Sequence, residues 1–517
     1  MTSVRQVVIL GGGSAGWIVA ATLAAELHGK APDSPKVTLI ESPDMPAIGV
    51  GEGTWPSMRA TLHTIGIAES DLVRECDAAF KQGSRFDGWV DGAATDRYYH
   101  PFSLPQGFGD ADLVGGWLAA QAGQPYAEAV GPQPHLCNAS LGPKQVSTPE
   151  YGGVANYGYH FDAVKIGHLI RRHAVEKLGV RHIADDVVAV RSAENGDIAA
   201  LSTRAHGDVP GDLFIDCSGL ACRLLGEHFG VAFQSQQSVL FNDRALAVQV
   251  PYAEADAPLA SCTIATAHAE GWTWDIGLPT RRGVGLVYSS AHSSDAAAEQ
   301  TLLRHLQRSG APDPALAPRR IPFNPGYRER FWHRNCVAVG LAAGFIEPLE
   351  ASALALVELS VAMIRDDFPA DRACMEIVAH RFNEAFAYRW SRVIEFLKLH
   401  YVLSQRSDSE YWREHREPAS QPERLQELLA LWRHRAPNRN DFPRLEEVFP
   451  AASYQYVLYG MGFRPDSVAL RPERPERLSA AQACLRDAAT ITKRLLGGLP
   501  RHRDLIHHIR THGMPAA

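Results

Sequence analysis

A glycine-rich turn near the start of this 517-residue chain constrains its fold more than any other feature. The apolar residues 7–10 precede the turn Gly11-Gly-Gly-Ser-Ala-Gly16, and an alanine-rich stretch follows over residues 17–27. A second apolar run, residues 37–40, ends at Glu41. This order of strand, glycine turn, helix and strand predicts an α/β fold that is built on a parallel sheet.

The same turn is predicted to bind a dinucleotide. Gly11, Gly13 and Gly16 have the spacing G-x-G-x-x-G. Glycines at these positions permit a tight turn and the close approach of a pyrophosphate to a helix N-terminus. Glu41 stands where a carboxylate accepts hydrogen bonds from a ribose 2′-hydroxyl. The alternative interpretation is a glycine turn that holds no ligand.

Two later segments favour FAD over NAD as the dinucleotide. Residues 214–219 form a short predicted strand that ends in Asp-x-Ser-Gly, and residues 335–340 form another that enters a glycine turn. Together with the first turn they resemble the three-part signature of flavoprotein monooxygenases, which is scattered because FAD spans the fold. The residues expected to contact FAD are Gly11, Gly13, Ser14, Ala15, Gly16, Glu41, Val50, Val187, Leu341 and Leu354.

The composition argues against several other classes of protein. Apolar and charged fractions of 45% and 21% are typical of a globular protein, and a net charge of −7 argues against a nucleic-acid-binding surface. No apolar run reaches the roughly 18 residues of a membrane span. The eight cysteines are scattered without a CxxC pair, which argues against a metal site. Without an export signal, they predict a cytoplasmic protein.

Two domains are expected from the patterning along the chain. Residues 1–365 are predicted to form an FAD-binding module with inserted substrate-side loops over about residues 90–155 and a mixed sheet over about residues 230–290. Residues 366–517 are predicted to form a mostly helical subdomain, because charged amphipathic segments dominate there. A helical stretch is predicted over about residues 58–80.

A strand with two tryptophans is the most distinctive element of the mixed sheet. Trp272, Trp274 and Ile276 occupy alternate positions, so a strand directs all three side chains to one face. Two indoles on one face form a large, rigid apolar wall. The simplest interpretation is a buried strand, and the second is a wall that separates a cofactor from a substrate.

Several ordered motifs give the chain a specific resemblance. They are Gly11-Gly-Gly-Ser-Ala-Gly-Trp17, Gly49-Val-Gly-Glu-Gly-Thr54, Cys76-Asp-Ala-Ala-Phe-Lys-Gln-Gly83, Tyr159-His-Phe-Asp162, Gly271-Trp-Thr-Trp-Asp-Ile276 and Gly340-Leu-Ala-Ala-Gly-Phe-Ile-Glu-Pro-Leu-Glu350. With them the chain resembles a flavin-dependent halogenase of the tryptophan halogenase family over residues 5 to about 465. The resemblance implies that a separate flavin reductase supplies FADH2, which reacts with oxygen so that chloride or bromide becomes hypohalous acid. It also implies a homodimer, since members of the family often dimerise.

The resemblance assigns a role to two catalytic residues and to the tryptophan wall. Hypohalous acid is expected to travel through an internal tunnel to Lys81, which without the resemblance would be read as an exposed cation. Glu350 is expected to face the reacting ring and accept its proton. Trp272 and Trp274 are expected to form the tunnel wall that keeps organic substrate from the flavin.

The resemblance also assigns halide and substrate residues. Backbone N–H groups of Ser352 and Ala353 are expected to bind halide at a helix start. His100 and Phe102 are expected to sandwich a flat aromatic ring, as opposed to being a loop histidine and a core phenylalanine. Tyr454 is expected to form a further wall of the substrate site.

The substrate is predicted to lack an amino-acid head group. Residues 418–463 show no convincing set of polar partners for an ammonium and a carboxylate, so indole or a substituted indole is favoured over free tryptophan. A larger or carrier-bound aromatic is the alternative substrate. The family usually has a hydroxyl and a glycine where this chain has Ala351-Ser-Ala353, which predicts tolerance of bromide or a preference for it. An FAD-dependent aromatic monooxygenase and a non-catalytic FAD-binding protein are the alternative functions.

Overall fold

The computed structural model describes residues 3–27, 34–44, 51–120, 123–311, 317–444, 447–466 and 475–516. Val50, one of the residues expected to contact FAD, lies outside these ranges. In the described part of the chain, no helix combines the length and the apolar character that crossing a membrane requires.

Strands and helices alternate through most of the chain. The strands are β1 Gln6–Leu10, β2 Lys36–Glu41, β3 Glu52–Gly53, β4 Ala79–Lys81, β5 Gly83–Asp87, β6 Arg97–Pro101, β7 Gly158–Phe161, β8 Arg181–Ala184, β9 Val187–Ser192, β10 Ile198–Thr203, β11 Gly207–Pro210, β12 Leu213–Asp216, β13 Phe233–Ser235, β14 Arg244–Pro251, β15 Thr263–His268, β16 Gly271–Gly277, β17 Arg281–Tyr288, β18 Arg319–Pro322, β19 Gly326–Arg328, β20 Trp332–His333, β21 Cys336–Ala338 and β22 Gly344–Phe345. The α-helices are α1 Ser14–Leu27, α2 Met58–Ile65, α3 Glu69–Glu75, α4 Leu113–Ala120, α5 Tyr126–Val130, α6 Gln133–Asn138, α7 Ala163–Glu176, α8 Asp295–Arg308, α9 Ser352–Asp366, α10 Arg372–Val402, α11 Glu410–His415, α12 Glu423–Trp432, α13 Ala451–Gly460, α14 Pro475–Gly498 and α15 His502–His512.

The first of two compact units comprises residues 1–78, 161–237 and 324–390. Its main sheet has the strand order β20-β21-β12-β1-β2-β8, and every pairing in it is parallel except that of β20 with β21. Residues 7–9 of the central strand β1 are buried, as expected for a strand that is covered on both faces. Helix α1 packs against α7 and α9, and its residues 16–24 are buried. The parallel sheet predicted from the opening motif is therefore confirmed.

The second compact unit comprises residues 79–160, 238–323 and 391–517. Its sheet has the order β18-β14-β17-β16-β15-β5-β6, in which only β15 and β5 pair in parallel. Helix α8 covers β14 and β17 with an apolar core that includes Leu246, Leu286 and Leu302. The mixed sheet predicted over residues 230–290 is confirmed, and it extends to strands from earlier in the chain.

These units differ from the predicted domains at residues 1–365 and 366–517. Strands β5 and β6 complete the sheet formed by β14 to β18, and the helices after residue 390 belong to the same unit. Backbone pairing joins segments that are far apart in sequence, so local patterning does not reveal this grouping. The helical stretch predicted over about residues 58–80 consists of α2 and α3. Gly66 adopts a left-handed conformation that ends α2, and the last residues of the predicted stretch lie in β4.

Candidate active site

The glycine turn of the first unit has the shape that a pyrophosphate requires. A side chain on Gly11, whose φ is 115°, would place its Cβ 2.2 Å from the carbonyl oxygen of Cys217. A Cβ on Gly16 would lie 1.9 Å from the carbonyl oxygen of Gly11. A Cβ on Gly13 would meet nothing within 4 Å. Gly11 and Gly16 are thus needed by the protein itself, whereas Gly13 borders open space at the start of α1. This arrangement fits the pyrophosphate of FAD.

Substitutions in the turn should separate folding from FAD binding. Gly16→Ala is expected to lower the free energy of unfolding by about 1–3 kcal/mol, since its Cβ clashes with backbone. Gly13→Ala is expected to leave thermal unfolding of the FAD-free protein unchanged and to weaken FAD binding by about tenfold or more, or about 1.4 kcal/mol. Calorimetric titration with FAD and thermal unfolding measure the two effects. Unchanged FAD affinity in Gly13→Ala would contradict the assigned site.

Glu41 is held next to the glycine turn. Its carboxylate accepts a hydrogen bond from Trp17 Nε1 at 3.3 Å and lies 3.3 Å from Arg171 Nη1 and 2.9 Å from His182 Nε2. A Cβ on Gly12 would overlap Glu41 Oε2, so the carboxylate lies directly over the turn. This is the position expected for a carboxylate that accepts from a ribose 2′-hydroxyl.

The other two segments of the predicted FAD site also lie in the first unit. Gly340 has a φ of 70°, and a Cβ there would be 2.7 Å from that of Ala15, so the third segment touches the first turn. Leu341 beyond it is exposed, while Leu354 in α9 is buried. Val187 is buried at the start of β9, and its carbonyl accepts a hydrogen bond from Arg223 Nη1 at 2.9 Å. Contact of these residues with FAD stays a prediction.

Asp216 has a structural role that the motif did not specify. It is fully buried at the end of β12. Its carboxylate accepts hydrogen bonds from the backbone and hydroxyl of Ser218 and from the N–H groups of Leu224 and Leu225. Four donors on one carboxylate fix the turn after β12, which is the second segment of the predicted FAD site.

Glu350 lies in a strained turn before α9. Glu350 and Ala351 have φ values of 65° and 54°, a left-handed conformation that costs a non-glycine residue about 1–2 kcal/mol. The side chain of Glu350 is buried, and its carbonyl oxygen accepts a hydrogen bond from Trp55 Nε1 at 2.7 Å. Non-glycine residues in this conformation concentrate at functional sites, which supports the prediction that Glu350 is catalytic.

The start of α9 suits an anion. Ala351 occupies the N-cap and, in the described structure, provides no side-chain hydrogen bond to the first turn of the helix. Ser352 is buried and Ala353 is exposed, so the small side chain of Ala353 leaves the first turn open. Uncapped N–H groups at a helix start attract an anion through their partial positive charge. Halide binding by Ser352 and Ala353 stays a prediction.

Glu358, further along α9, is a buried acid that the sequence did not single out. Burial raises the pKa of its carboxyl from the usual 4.5 to about 7, although the hydroxyls of Thr61 and Ser57 donate hydrogen bonds to it at 2.5 and 2.9 Å. An acid whose pKa is raised by folding stabilises the fold fully below pH 4.5, and this contribution is lost as the pH rises through 7. Glu358 therefore makes the first unit less stable at neutral pH than in mild acid.

Glu358→Gln should flatten the pH dependence of stability. At 1.36 kcal/mol per pH unit, deprotonation of Glu358 is expected to lower the free energy of unfolding by about 3 kcal/mol between pH 4.5 and 7, and Glu358→Gln should abolish this decrease. Urea unfolding of the FAD-free protein at several pH values between 5 and 8 measures the pH dependence of the unfolding free energy. The exposed Glu427→Gln serves as the control and should follow the wild-type curve. An identical pH slope in Glu358→Gln and wild type would refute the expectation.

Lys81 lies in the interior of the second unit. It ends β4, is fully buried, and its Nζ is 5.3 Å from the centroid of the Phe102 ring. Strand β4 pairs with β7 so that Ala79 is opposite His160 and Lys81 is opposite Gly158. Lys81 and His160 therefore share one face of the β4–β7 pair. The alternative of an exposed surface cation is wrong.

His160 is a neighbour of Lys81 that sequence reasoning missed. Its Nε2 is 2.8 Å from the hydroxyl of Thr263. Burial, then the charge of Lys81, then His502 hold the pKa of His160 well below its usual value. A neutral imidazole therefore stands beside the lysine at neutral pH. The only sequence signal was the position of His160 in the motif Tyr159-His-Phe-Asp162, which gave no role to the histidine.

The predicted substrate residues lie in two adjoining places. Phe102 is half-buried beside Lys81, and its backbone N–H donates to the carbonyl of Gln82 at 3.1 Å. His100 lies on β6, so it is not a loop histidine. Its Nε2 is 2.9 Å from the hydroxyl of Ser453, and its ring centroid is 5.5 Å from that of Phe396. Contact of both residues with one aromatic substrate stays a prediction.

Tyr454 belongs to an aromatic cluster of the interior. Its ring contacts those of Phe396, Trp432 and Phe442 at centroid distances of 4.9, 5.4 and 4.8 Å. It is buried on α13, and burial raises the pKa of its hydroxyl. In this position Tyr454 packs behind Phe396, which itself contacts His100. A direct contact of Tyr454 with substrate stays a prediction.

The two tryptophans of β16 lie as the alternation predicted. Trp272 and Trp274 are both buried, with ring centroids 6.4 Å apart. Trp274 is opposite Gly285 of β17, where a Cβ would lie 2.1 Å from the indole, so the ring covers this glycine. Trp272 packs at 6.1 Å from the Trp89 ring. The first interpretation, a buried strand, is confirmed, and the role of the two indoles as a tunnel wall stays a prediction.

Comparisons with known proteins agree with this geometry. The sequence model of the family described as tryptophan halogenase matches residues 6–473. A tryptophan 7-halogenase of Lentzea aerocolonigenes is 31% identical and covers 97% of this chain and 98% of its own length. The crystal structure of a tryptophan halogenase from Shewanella frigidimarina NCIMB 400 is 48% identical, with a TM-score of 0.96 over 100% of this chain and 99% of that one.

A further solved structure is similar at lower identity. A flavin-dependent halogenase from Brevundimonas sp. BAL3 is 35% identical, with a TM-score of 0.85 over 98% of this chain and 99% of that one. The similarity thus spans both units and all three segments of the predicted FAD site. The chain belongs to the tryptophan halogenase family and is a flavin-dependent halogenase.

Proposed function

We propose that this protein halogenates an electron-rich aromatic ring, with indole or a substituted indole favoured, and that hypohalous acid reaches Lys81 through an internal tunnel. The burial of Lys81 beside the Phe102 ring carries the proposal, because an amine in this place meets both an oxidant and a flat substrate. Bound FADH2, supplied by a separate flavin reductase, would provide the oxygen chemistry that converts chloride or bromide to hypohalous acid.

Lys81 turns a diffusing oxidant into a positioned electrophile. A buried amine loses its charge more easily than one in water. The neutral amine can displace the oxygen of hypohalous acid, so that an N–X bond forms, the O–X bond breaks and water leaves. The ammonium form can instead donate a hydrogen bond that polarises the oxidant. The neutral His160 beside it adds no second charge to the pocket.

Glu350 and the start of α9 supply the remaining groups. A carboxylate at Glu350 stabilises the cationic ring that forms on halogen transfer and accepts its proton. The N–H groups of Ser352 and Ala353 bind halide at the uncapped helix start. With the Ala351-Ser-Ala353 sequence, the site is proposed to tolerate bromide or to prefer it. Turnover in a mixture of chloride and bromide, with the ratio of chlorinated to brominated product as the readout, tests this halide preference. A strong preference for chloride would contradict it.

Two arginines within residues 418–463 are engaged inside the protein, which supports a substrate without an amino-acid head. Arg424 Nη1 lies 2.6 Å from Glu395 Oε2, and its other nitrogen donates to the carbonyl of Asp441 at 2.7 Å. Arg435 pairs with the carboxylate of Asp441, which also accepts from Trp432 Nε1 at 3.1 Å. These charges serve the protein itself, whereas free tryptophan needs partners for its carboxylate and ammonium.

Parallel assays of indole and tryptophan test the proposal. The protein is incubated with a flavin reductase, NADH, FAD, oxygen and bromide, and products are identified by the bromine isotope pattern in mass spectrometry. We expect a bromide-dependent product from indole and less from tryptophan, the substrate for which several relatives are named. Clean tryptophan turnover with inert indole would refute the substrate. A hydroxylated product that forms without halide would favour the monooxygenase alternative.

A further inference from the structure

Two buried cysteines lie near residues 82–84, the segment that directly follows Lys81. The carbonyl oxygen of Ser261 accepts a hydrogen bond from the backbone N–H of Gln82 at 2.7 Å and lies 3.9 Å from Cys137 Sγ. Thr263 pairs with Ser84 in the parallel contact of β15 and β5. Residues 261–263 therefore run alongside residues 82–84, with Cys262 in the middle.

The two thiols lie close together. Cys137 Sγ is 3.9 Å from the carbonyl oxygen of Ser261, the residue before Cys262, and both cysteines are buried. The hydrogen bond with Cys137, then the charges of Arg85 and Lys81, outweigh burial and Asp87 and lower the pKa of Cys262. A thiolate is the nucleophilic form of cysteine, so Cys262 is the more reactive partner.

The other buried cysteines differ in this respect. Burial raises the pKa of Cys336 in β21, of Cys217 directly after β12, and of Cys76 and Cys222 in the same unit. These thiols stay protonated and unreactive. The described structure therefore singles out the pair of Cys137 and Cys262 in the second unit, where Lys81 also lies.

We propose that Cys262 and Cys137 are an internal trap for hypohalous acid that Lys81 does not pass to a substrate. This inference rests on the proposed function, which supplies the oxidant. The Cys262 sulfur takes the halogen as the O–X bond breaks and the oxygen leaves as water. The Cys137 sulfur then displaces halide and forms the S–S bond. In sum, two thiols and one hypohalous acid give a disulfide, water and hydrogen halide, and two electrons pass from sulfur to halogen.

The trap would protect the oxidisable residues of the second unit. Lys81 and the indoles of Trp89 and Trp272 are buried in the same unit, and indoles are themselves targets of electrophilic halogen. A disulfide is reversible with thiol reductants, whereas a halogenated indole is not. Ser261, the residue before Cys262, accepts a hydrogen bond from the backbone of Gln82, the residue after Lys81. Formation of the disulfide therefore also indicates that the oxidant has reached the surroundings of Lys81.

Uncoupled turnover tests the trap. The protein is given flavin reductase, NADH, FAD, oxygen and bromide without aromatic substrate, with catalase present to remove hydrogen peroxide. It is then denatured with an alkylating agent, and non-reduced peptides are analysed by mass spectrometry. We expect loss of both thiols and a peptide that joins Cys137 to Cys262, only when bromide is present. Cys137→Ala should prevent the cross-link, and Cys374→Ser, at an exposed thiol, should not.

The outcomes separate this inference from the proposed function. If indole is brominated in a parallel reaction while Cys137 and Cys262 stay reduced during uncoupled turnover, the function stands and the trap is refuted. If neither bromination nor bromide-dependent thiol oxidation occurs, the proposed function and the source of the oxidant both fail. Diamide, a small thiol oxidant, is applied to FAD-free protein as an independent arm. A cross-link there supports the pairing of the thiols, and its absence refutes it.

Discussion

Lys81→Met is expected to lower the rate of halogenation by about 10³-fold, because methionine fills the buried site of Lys81 but offers neither a nucleophilic nitrogen nor a hydrogen-bond donor. FAD binding is expected to stay unchanged, since the predicted FAD site lies in the first unit and Lys81 in the second. Product formation with saturating FADH2 measures the rate, and titration with FAD measures binding. Lys81→Ala should have the same effect on rate with an added loss of packing.

A second buried lysine provides the control for Lys81. Lys144 is also fully buried in the second unit, where its Nζ donates to the carbonyl of Pro149 at 3.1 Å and to the hydroxyl of Tyr157 at 3.2 Å. Lys144→Met should lower stability and keep the turnover of folded protein. Halogenation by Lys81→Met within about tenfold of wild type, a barrier change of only about 1.4 kcal/mol, would exclude Lys81 from the chemistry.

Local sequence patterns predicted the parallel sheet and the tryptophan strand. The order of apolar run, glycine turn and alanine-rich helix is decided within the first forty or so residues, and the structure has β1, α1 and β2 there. The alternation over Trp272, Trp274 and Ile276 likewise depends only on strand geometry. In both cases the residues that carry the signal are neighbours in the chain, which is why the pattern was sufficient.

The grouping into units depended on contacts that local patterns do not record. Strand β5 pairs with β15, although these strands are far apart in sequence, and this pairing assigns residues 79–160 to the second unit. The same limit hid the neighbours of Lys81. His160 approaches it through the pairing of β4 with β7, and Cys262 through the pairing of β5 with β15. None of these neighbours shares a local pattern with Lys81.

Aromatic residues show a second limit of sequence reasoning. Tyr454 and Phe102 were both predicted from the family resemblance to contact substrate, but Tyr454 packs inside a cluster of four rings whereas Phe102 is half-buried beside Lys81. An aromatic side chain makes the same kind of apolar contact in a hydrophobic core as in a binding site. Only its surroundings in the fold distinguish the two roles, and they favour Phe102 as the residue nearer to the chemistry.

Glu350→Gln is expected to lower the rate of halogenation by about 10²-fold, because the amide keeps the shape of the carboxylate but cannot accept the ring proton. Since the backbone of Glu350 is held by Trp55 and glutamine tolerates φ 65° no worse than glutamate, the free energy of unfolding should be almost unchanged.

Ala351→Gly is the matched control for Glu350→Gln. Glycine relieves the left-handed φ of 54° and should raise the free energy of unfolding by about 1 kcal/mol while halogenation continues. Initial rates at saturating bromide, together with urea unfolding, measure both variants. If Glu350→Gln halogenates at the wild-type rate, Glu350 does not accept the ring proton, and the strained turn serves to shape the start of α9.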